Sequence, residues 1–316
     1  MGVMSDLRLE GVHHISCITA DATANVEFYA GVMGMRLVKK TVNQDDPSVY
    51  HLFYGDEKGS PGFDLTFFEY PGARKGRAGA GMVHRILWRV ASAGSLDYWE
   101  ARLADNGITA ERTPDGLLYA DPEGLNHELL VYGGTDTPLI PGHIDVPPEF
   151  ALQGFHGARA YAPRPDATAM VLSQVMGFTE AEPGEWALAG DERSGVYYLD
   201  PPPEERGIPS AGTVHHIAWA SPLDQHDEWQ RHVTEAGLHA TPVIDRFYFR
   251  AVYFREPGGV LFELATIGPG FASDEDPDHL GEKLSLPPDF ESQREQVEAI
   301  LRPVPDPRQW RPVSAS

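Results

Sequence analysis

The string Val12-His13-His14-Ile15 returns late in the chain as Val214-His215-His216-Ile217. An adjacent histidine pair written twice in the same apolar frame marks internal duplication, which limits the fold more than any single propensity does. Two weaker copies lie between, Val83-His84-Arg85-Ile86 and Phe155-His156-Gly157-Ala158. Each copy opens a strand-like run, so the chain divides into four units.

In the first unit Val26, Tyr29, Ala30 and Met33 fall at helical spacing over residues 23–33, and Gly34 stops the helix. Strand-like pieces follow at 50–54 and 64–68, parted by Gly59-Ser60-Pro61-Gly62. The second unit predicts a helix over 95–106 capped by Gly107 and a closing strand over 126–131. The third predicts a helix over 167–175 and a strand over 196–199, and the fourth a helix over 224–236 and a strand over 260–264. This order describes an α+β chain of four βαβββ modules. Taken in sequence order they give one domain over 8–135, a Pro- and Gly-rich linker over 136–152, and a second domain over 153–268. A tail over 269–316 carries one expected helix, 290–301, with Asp289 as N-cap and Phe290, Val297, Ile300 and Leu301 docking it on the body.

Aligning the opening strands places His14, Arg85, Gly157 and His216 at one position, so only the first and fourth units offer a metal ligand there. In the closing strands Pro257-Gly258-Gly259 precedes Glu263 with the spacing by which Pro122-Glu123-Gly124 precedes Glu128, and the same count from Pro61 reaches Phe67. Pairing units in sequence order leaves no complete ligand set. Pairing the first with the fourth collects His14, His216 and Glu263, and leaves Arg85, Gly157 and Glu128 in a degenerate cleft. Two histidines and a carboxylate form the facial set that holds non-haem Fe(II) with positions left open, and Mn(II) suits the same ligand types. Glu263 stands among Val260, Leu261, Phe262 and Leu264, where an unpaired carboxylate is costly to bury and a cation removes that cost. Neighbours on a strand point to opposite faces, so His13 and His215 share the cleft only where the strand bulges, and otherwise are structural. His84 and His156 belong to the ligand-poor units. His127, His143, His226, His232, His239 and His279 show no partner pattern.

With 47 acidic against 25 basic side chains and a net charge of -22, the chain is poorly suited to nucleic acid or an anionic membrane. Cys17 is the only cysteine, so no intramolecular disulfide forms. No apolar run is long enough for a membrane span, and Met1 to Glu10 lacks the pattern of a signal peptide, which predicts a cytoplasmic protein. The composition is compatible with a homo-oligomer.

Over nearly the whole chain these segments resemble the ring-cleaving dioxygenases of the vicinal oxygen chelate, or glyoxalase-like, superfamily, in particular the hydroquinone 1,2-dioxygenase type. The resemblance rests on Val12 to Ile15, on Asp45 to Tyr70 with Tyr50-His51-Leu52-Phe53-Tyr54-Gly55-Asp56, on Val214 to Ile217, on Asp245 to Glu263, and on Leu286-Pro287-Pro288 with the helix after it. It implies two vicinal-oxygen-chelate domains, Fe(II) on His14, His216 and Glu263, and a small aromatic substrate opened by O2. It further implies that His13, His215, Arg246 and Tyr253 serve the reaction, the histidines and the tyrosine as proton carriers and the arginine beside developing negative charge. The fold also serves isomerases and binding proteins. A glyoxalase-like isomerase needs a fourth protein ligand, for which Glu69 is the candidate, and an aromatic-binding protein needs none.

Overall fold

The computed structural model describes residues 7–312; the last residues of the expected tail, 313–316, and the start of the N-terminal stretch, 1–6, lie outside them. The first module holds β1 (Val12–Thr19), β2 (Arg36–Asn43), β3 (Asp46–Gly55) and β4 (Asp64–Glu69). The second holds β5 (Val83–Val90), β6 (Ala110–Arg112), β7 (Gly116–Ala120) and β8 (Asn126–Val131), and the third β9 (Phe155–Tyr161), β10 (Thr179–Glu182), β11 (Glu185–Ala189) and β12 (Ser194–Asp200). The fourth holds β13 (Thr213–Ser221), β14 (Ile244–Asp245), β15 (Phe249–Arg255) and β16 (Leu261–Pro269). One helix follows each opening strand: α1 (Ala22–Val26), α2 (Ala93–Asp105), α3 (Pro165–Gln174) and α4 (His226–Glu235).

Within every module the opening strand pairs in parallel with the closing one, as the intervening helix requires. The opening strands then pair antiparallel across modules, β1 with β13 and β5 with β9. Two eight-stranded sheets result, in the orders β14-β15-β16-β13-β1-β4-β3-β2 and β10-β11-β12-β9-β5-β8-β7-β6. The first module thus shares a sheet with the fourth, and the second with the third, across the sequence boundaries at 8–135 and 153–268.

Asp21 caps α1 by accepting from the Ala24 amide at 3.1 Å, and Ser92 caps α2 by accepting from the Ser95 amide at 3.2 Å. Beyond Val26 the first helix widens into a π-turn over Glu27–Val32, which buries the consecutive residues Phe28, Tyr29 and Ala30. Gly34 and Gly107 end their helices at φ 69° and 74°, a left-handed conformation open to glycine at little cost. The inner faces of the sheets close on a core in which Trp88, Trp99, Trp219 and Trp229 are fully buried. At roughly 200 Å² apiece, each contributes about 5 kcal/mol of transfer free energy before entropy is counted.

The tail departs from expectation. Pro288–Gln293 forms a 3-10 turn and only Arg294–Ile300 is α-helical, as α5, so Asp289 lies inside the turn and caps nothing. The tighter 3-10 period rotates the apolar face: Val297 and Leu301 are buried and Phe290 packs partly against the core, but Ile300 is 60% exposed. Upstream, the Ser285 amide donates to Lys40 O at 2.9 Å, so the tail covers the β2 edge. No helix among the described residues is long and apolar enough to cross a membrane.

Candidate metal centre

The β1–β13 pairing skips one residue on each strand. Val12 faces Trp219 and His14 faces Ala218, while Ser16 faces His216 and Cys17 faces Val214, leaving His13 and His215 as the extra residues of two bulges. A bulge turns two consecutive side chains toward one side, and here each doublet stays together: His13 Nδ1 is 3.0 Å from His14 Nδ1, and His215 Nδ1 is 2.8 Å from His216 Nδ1. The second histidine of each pair points its Nε2 to the middle of the sheet, toward Glu263 on β16. His14 Nε2 and His216 Nε2 are 3.1 Å apart and stand 3.2 and 2.9 Å from Glu263 Oε2.

Hydrogen bonding sets the form of His14. His13 Nε2 lies 3.1 Å from Thr266 O, and a carbonyl only accepts, so His13 donates there. Burial and the nearby His14 lower the His13 pKa to about 3, which leaves its ring neutral with a lone pair on Nδ1. His14 therefore donates through Nδ1 and keeps the lone pair of Nε2 facing His216 and Glu263. Glu263 is 0% exposed, and neither of its oxygens accepts a hydrogen bond of proper geometry. Lone pairs and a buried carboxylate turned on one another are repulsive unless a cation lies between them.

Spacing agrees with that demand. Three donors about 2.1 Å from one ion stand about 3.0 Å apart on a face of an octahedron and about 3.4 Å apart in a tetrahedron. The separations of 2.9, 3.1 and 3.2 Å fit the octahedral face, and among the described residues these three form the one cluster able to hold an ion.

In front of His14 and His216 opens a cavity walled by Phe53, Phe68, Phe249 and Tyr253. Phe249 covers His13 and His14, with ring centroids 5.4 and 5.1 Å away, and Phe68 stands 6.4 Å from His216. Tyr253 faces Glu263 across the β15–β16 ladder, its ring 5.8 Å from that of His216. Burial and the Glu263 carboxylate push its phenol above the ordinary range, so it stays protonated. The Arg246 guanidinium lies 5.5 Å from the Tyr253 ring and forms two hydrogen bonds to Asp45, at 3.2 and 3.0 Å, closing the first module onto the fourth at the cavity mouth. Next to it Phe247 has φ 70°, the one described non-glycine residue with positive φ, a strained backbone that directs Arg246 and Tyr248 inward.

Two sequence expectations need correction. Counting from Pro61 matched Phe67 to Glu263, but the ladders place Glu263 opposite Ala218 and Thr66 opposite Ser16, so Thr66 holds the equivalent position. The turn before β4 is one residue shorter than that before β16, and one residue of register exchanges the two faces. Phe67 accordingly packs in the core against Tyr29. The same alternation carries Glu69 away from the cavity, where its Oε1 accepts from the Ala22 amide at 3.0 Å at the start of α1. Glu69 therefore does not join the cluster of His14, His216 and Glu263.

His51, which the sequence places in a resembling segment without a role, lines the cavity from β3 on the same face as Phe53, as the two-residue alternation of the strand requires. Elsewhere His84 donates to Asp200 at 2.8 Å, and His127 lies in the core between Trp88 and Tyr29. His226 bonds Ser221 at 2.8 Å and His232 bonds Val175 O at 3.1 Å.

Residues 11–129 match the profile described as the Glyoxalase/Bleomycin resistance protein/Dioxygenase superfamily. The chain is similar to MhqO of Bacillus subtilis (strain 168), which bears the name of a ring-cleaving dioxygenase, with 42% identity over 304 residues, 93% of this chain and 96% of that one. It is 31% identical over 330 residues to the chlorohydroquinone/hydroquinone 1,2-dioxygenase of Sphingobium indicum, covering 95% of this chain and 97% of that one. A solved Bacillus subtilis structure designated a dioxygenase superposes with a TM-score of 0.86 at 40% identity over 94% of this chain and 98% of that one. Glyoxalase I from Zea mays shares the fold, with a TM-score of 0.56 at 14% identity over 81% of this chain and 92% of that one.

Proposed function

The chain belongs to the Glyoxalase/Bleomycin resistance protein/Dioxygenase superfamily, and on that premise we propose that it is an Fe(II)-dependent dioxygenase that opens the ring of a hydroquinone-type substrate with O2. Relatives named as ring-cleaving and hydroquinone dioxygenases support an oxidoreductase acting on an aromatic ring. The observation that carries the reading is the convergence of His14, His216 and Glu263 around a buried carboxylate without a hydrogen bond.

His14, His216 and Glu263 would hold the ion, leaving its other positions to the cavity; Mn(II) is accepted by the same ligand types. When bound, such an ion supplies adjoining sites for a ring oxygen and O2 and a path for charge between them. His13 keeps the Nε2 lone pair of His14 aimed inward, anchored in turn by Thr266 O. His215, exposed at the other bulge, carries protons between His216 and solvent. Tyr253, kept protonated, donates to oxygen as negative charge develops, and Arg246 behind it stabilises that charge. Phe68 and Phe249 flank the ring and exclude water. Glu69, engaged with the α1 amide, adds no fourth ligand, which favours oxygen chemistry over the isomerase reading.

The test is oxygen uptake by protein loaded anaerobically with Fe(II) and offered hydroquinone, methylhydroquinone, chlorohydroquinone or catechol, with His216→Ala as control. Uptake that requires both an aromatic substrate and His216, with loss of aromatic absorbance, is expected. No uptake from protein shown to retain its iron would overturn the reading and leave isomerase, transferase or binding roles.

A further inference from the structure

The cavity wall also carries His51, away from His14, His216 and Glu263. His51 stands on β3, separated from β1 by β4, about 10 Å across the sheet at ~4.8 Å per strand. Its ring is held between Phe53 and Phe68, with centroids 4.0 and 4.1 Å away. Its Nε2 is 3.0 Å from Thr66 Oγ1, which lies 2.7 Å from Ser16 Oγ, and both hydroxyl residues are completely buried. An imidazole gripped on two faces and tied at one nitrogen has a single orientation. Its other nitrogen, Nδ1, has no hydrogen-bond partner among the described residues and is not sealed from the cavity that His51 lines.

Of the other polar groups on this side, Thr41 faces His51 across the β2–β3 ladder with its hydroxyl buried and unpartnered, while Gln44 and Arg246 are engaged. Gln44 donates to Arg246 O at 2.8 Å, and Arg246 is held by Asp45. The Ser16–Thr66–His51 chain can run in either direction, because a hydroxyl donates one proton and accepts another. When Ser16 donates to Thr66 and Thr66 to Nε2, Nδ1 carries a proton and donates; in the reverse order Nδ1 accepts. A phenolic hydroxyl satisfies either form.

We propose that His51 is the cavity's second polar anchor, its Nδ1 binding the ring hydroxyl para to the oxygen that meets His14, His216 and Glu263, so that the site selects para-dihydroxybenzenes over monophenols. The two oxygens of such a ring lie at its opposite ends, as do the metal-binding face and the β3 wall. Phe53 and Phe68, which hold His51, also supply the apolar walls for the ring between the anchors. The inference rests on the aromatic-substrate reading above and adds the residue that chooses among aromatics.

Binding rather than turnover tests it. With Zn(II) in place of a redox-active ion, calorimetric titration compares hydroquinone with 4-methylphenol, which has the same size and no para hydroxyl. Wild-type protein is expected to prefer hydroquinone about tenfold, the worth of one well-made hydrogen bond. His51→Phe, which preserves the stack, should abolish the preference while leaving zinc content and 4-methylphenol affinity within about twofold. Thr66→Val, which frees the ring, should narrow the preference. A preference that survives in His51→Phe overturns the proposal, as does its absence from the wild type while both compounds bind. Should His51→Phe fail to fold, an undiminished preference in Thr66→Val overturns it. If zinc-loaded wild type binds neither compound, the aromatic-substrate reading fails and the inference falls with it, a result distinct from equal binding of both.

Discussion

The two sheets place different chemistry at matching positions. Around the β1–β13 seam these positions hold His14, Thr66, His216 and Glu263; around the β5–β9 seam they hold Arg85, Glu128, Gly157 and Tyr198. Glu128 lies opposite Leu87 as Glu263 lies opposite Ala218, so both sheets present a glutamate at the same register. In the second sheet Arg85 Nη1 donates to Glu128 Oε2 at 3.0 Å, and Arg159 binds Asp200 through two hydrogen bonds of 2.8 and 2.7 Å. His84 adds a bond to Asp200 while stacked on Tyr161 at 3.9 Å. A side chain at Gly157 has no room, since a Cβ there would lie 1.8 Å from Val196 O. A poorly solvated carboxylate needs a cation. The second sheet supplies one from its own chain, whereas the first sets two histidines beside its carboxylate, and under the proposed function its cation comes from outside.

The most severe way to break this contrast is Glu263→Gln. Removing the negative charge while keeping the shape should reduce iron content below about a tenth of the wild-type level and abolish oxygen uptake, both read on protein purified with iron supplied. Full iron occupancy in that variant would deny the first sheet its external cation. Tyr253→Phe sharpens the assignment of roles: iron should remain, while turnover falls about a hundredfold with the loss of one positioned acid.

Arg85→Ala attacks the internal cation of the second sheet. It should lower unfolding stability in urea by about 1–2 kcal/mol by leaving Glu128 unpaired, without change in iron content. Acid probes the same sheet. Burial would raise the Asp200 pKa, but the bonds from His84 and Arg159 hold it below the ordinary carboxylate value of 3.8. The unfolded chain therefore takes up this proton first, so the contribution of Asp200 is full above pH ~4 and is lost as pH falls further. The gap between the urea midpoints of wild type and Asp200→Asn should be widest at pH 6, begin to narrow at pH 3.5, and close only at still lower pH. Glu69→Gln should do least: iron and activity within about twofold of wild type, and stability lower by under ~1 kcal/mol as the α1 amide loses a charged acceptor. Loss of iron there would restore Glu69 as a ligand.

The duplicated doublet, the absence of a ligand at Arg85 and Gly157, and the lone carboxylate among Val260, Leu261, Phe262 and Leu264 were sufficient to name three residues and to pair the first module with the fourth. These are statements about residue type and strand identity, which a chain carries locally. Which face a residue occupies is not local. His13 joins His14 because β1 bulges against β13, Thr66 displaces Phe67 because one turn is a residue shorter, and Glu69, on the face of Phe67, meets the Ala22 amide as a consequence of the same shift. His51 enters the cavity, and Asp45 meets Arg246, only because strands from opposite ends of the chain become neighbours. Side chains alternate with a period of two, so register set by pairing across the chain decides the face, whereas the sequence by itself determines only which chemistry is available to be placed there.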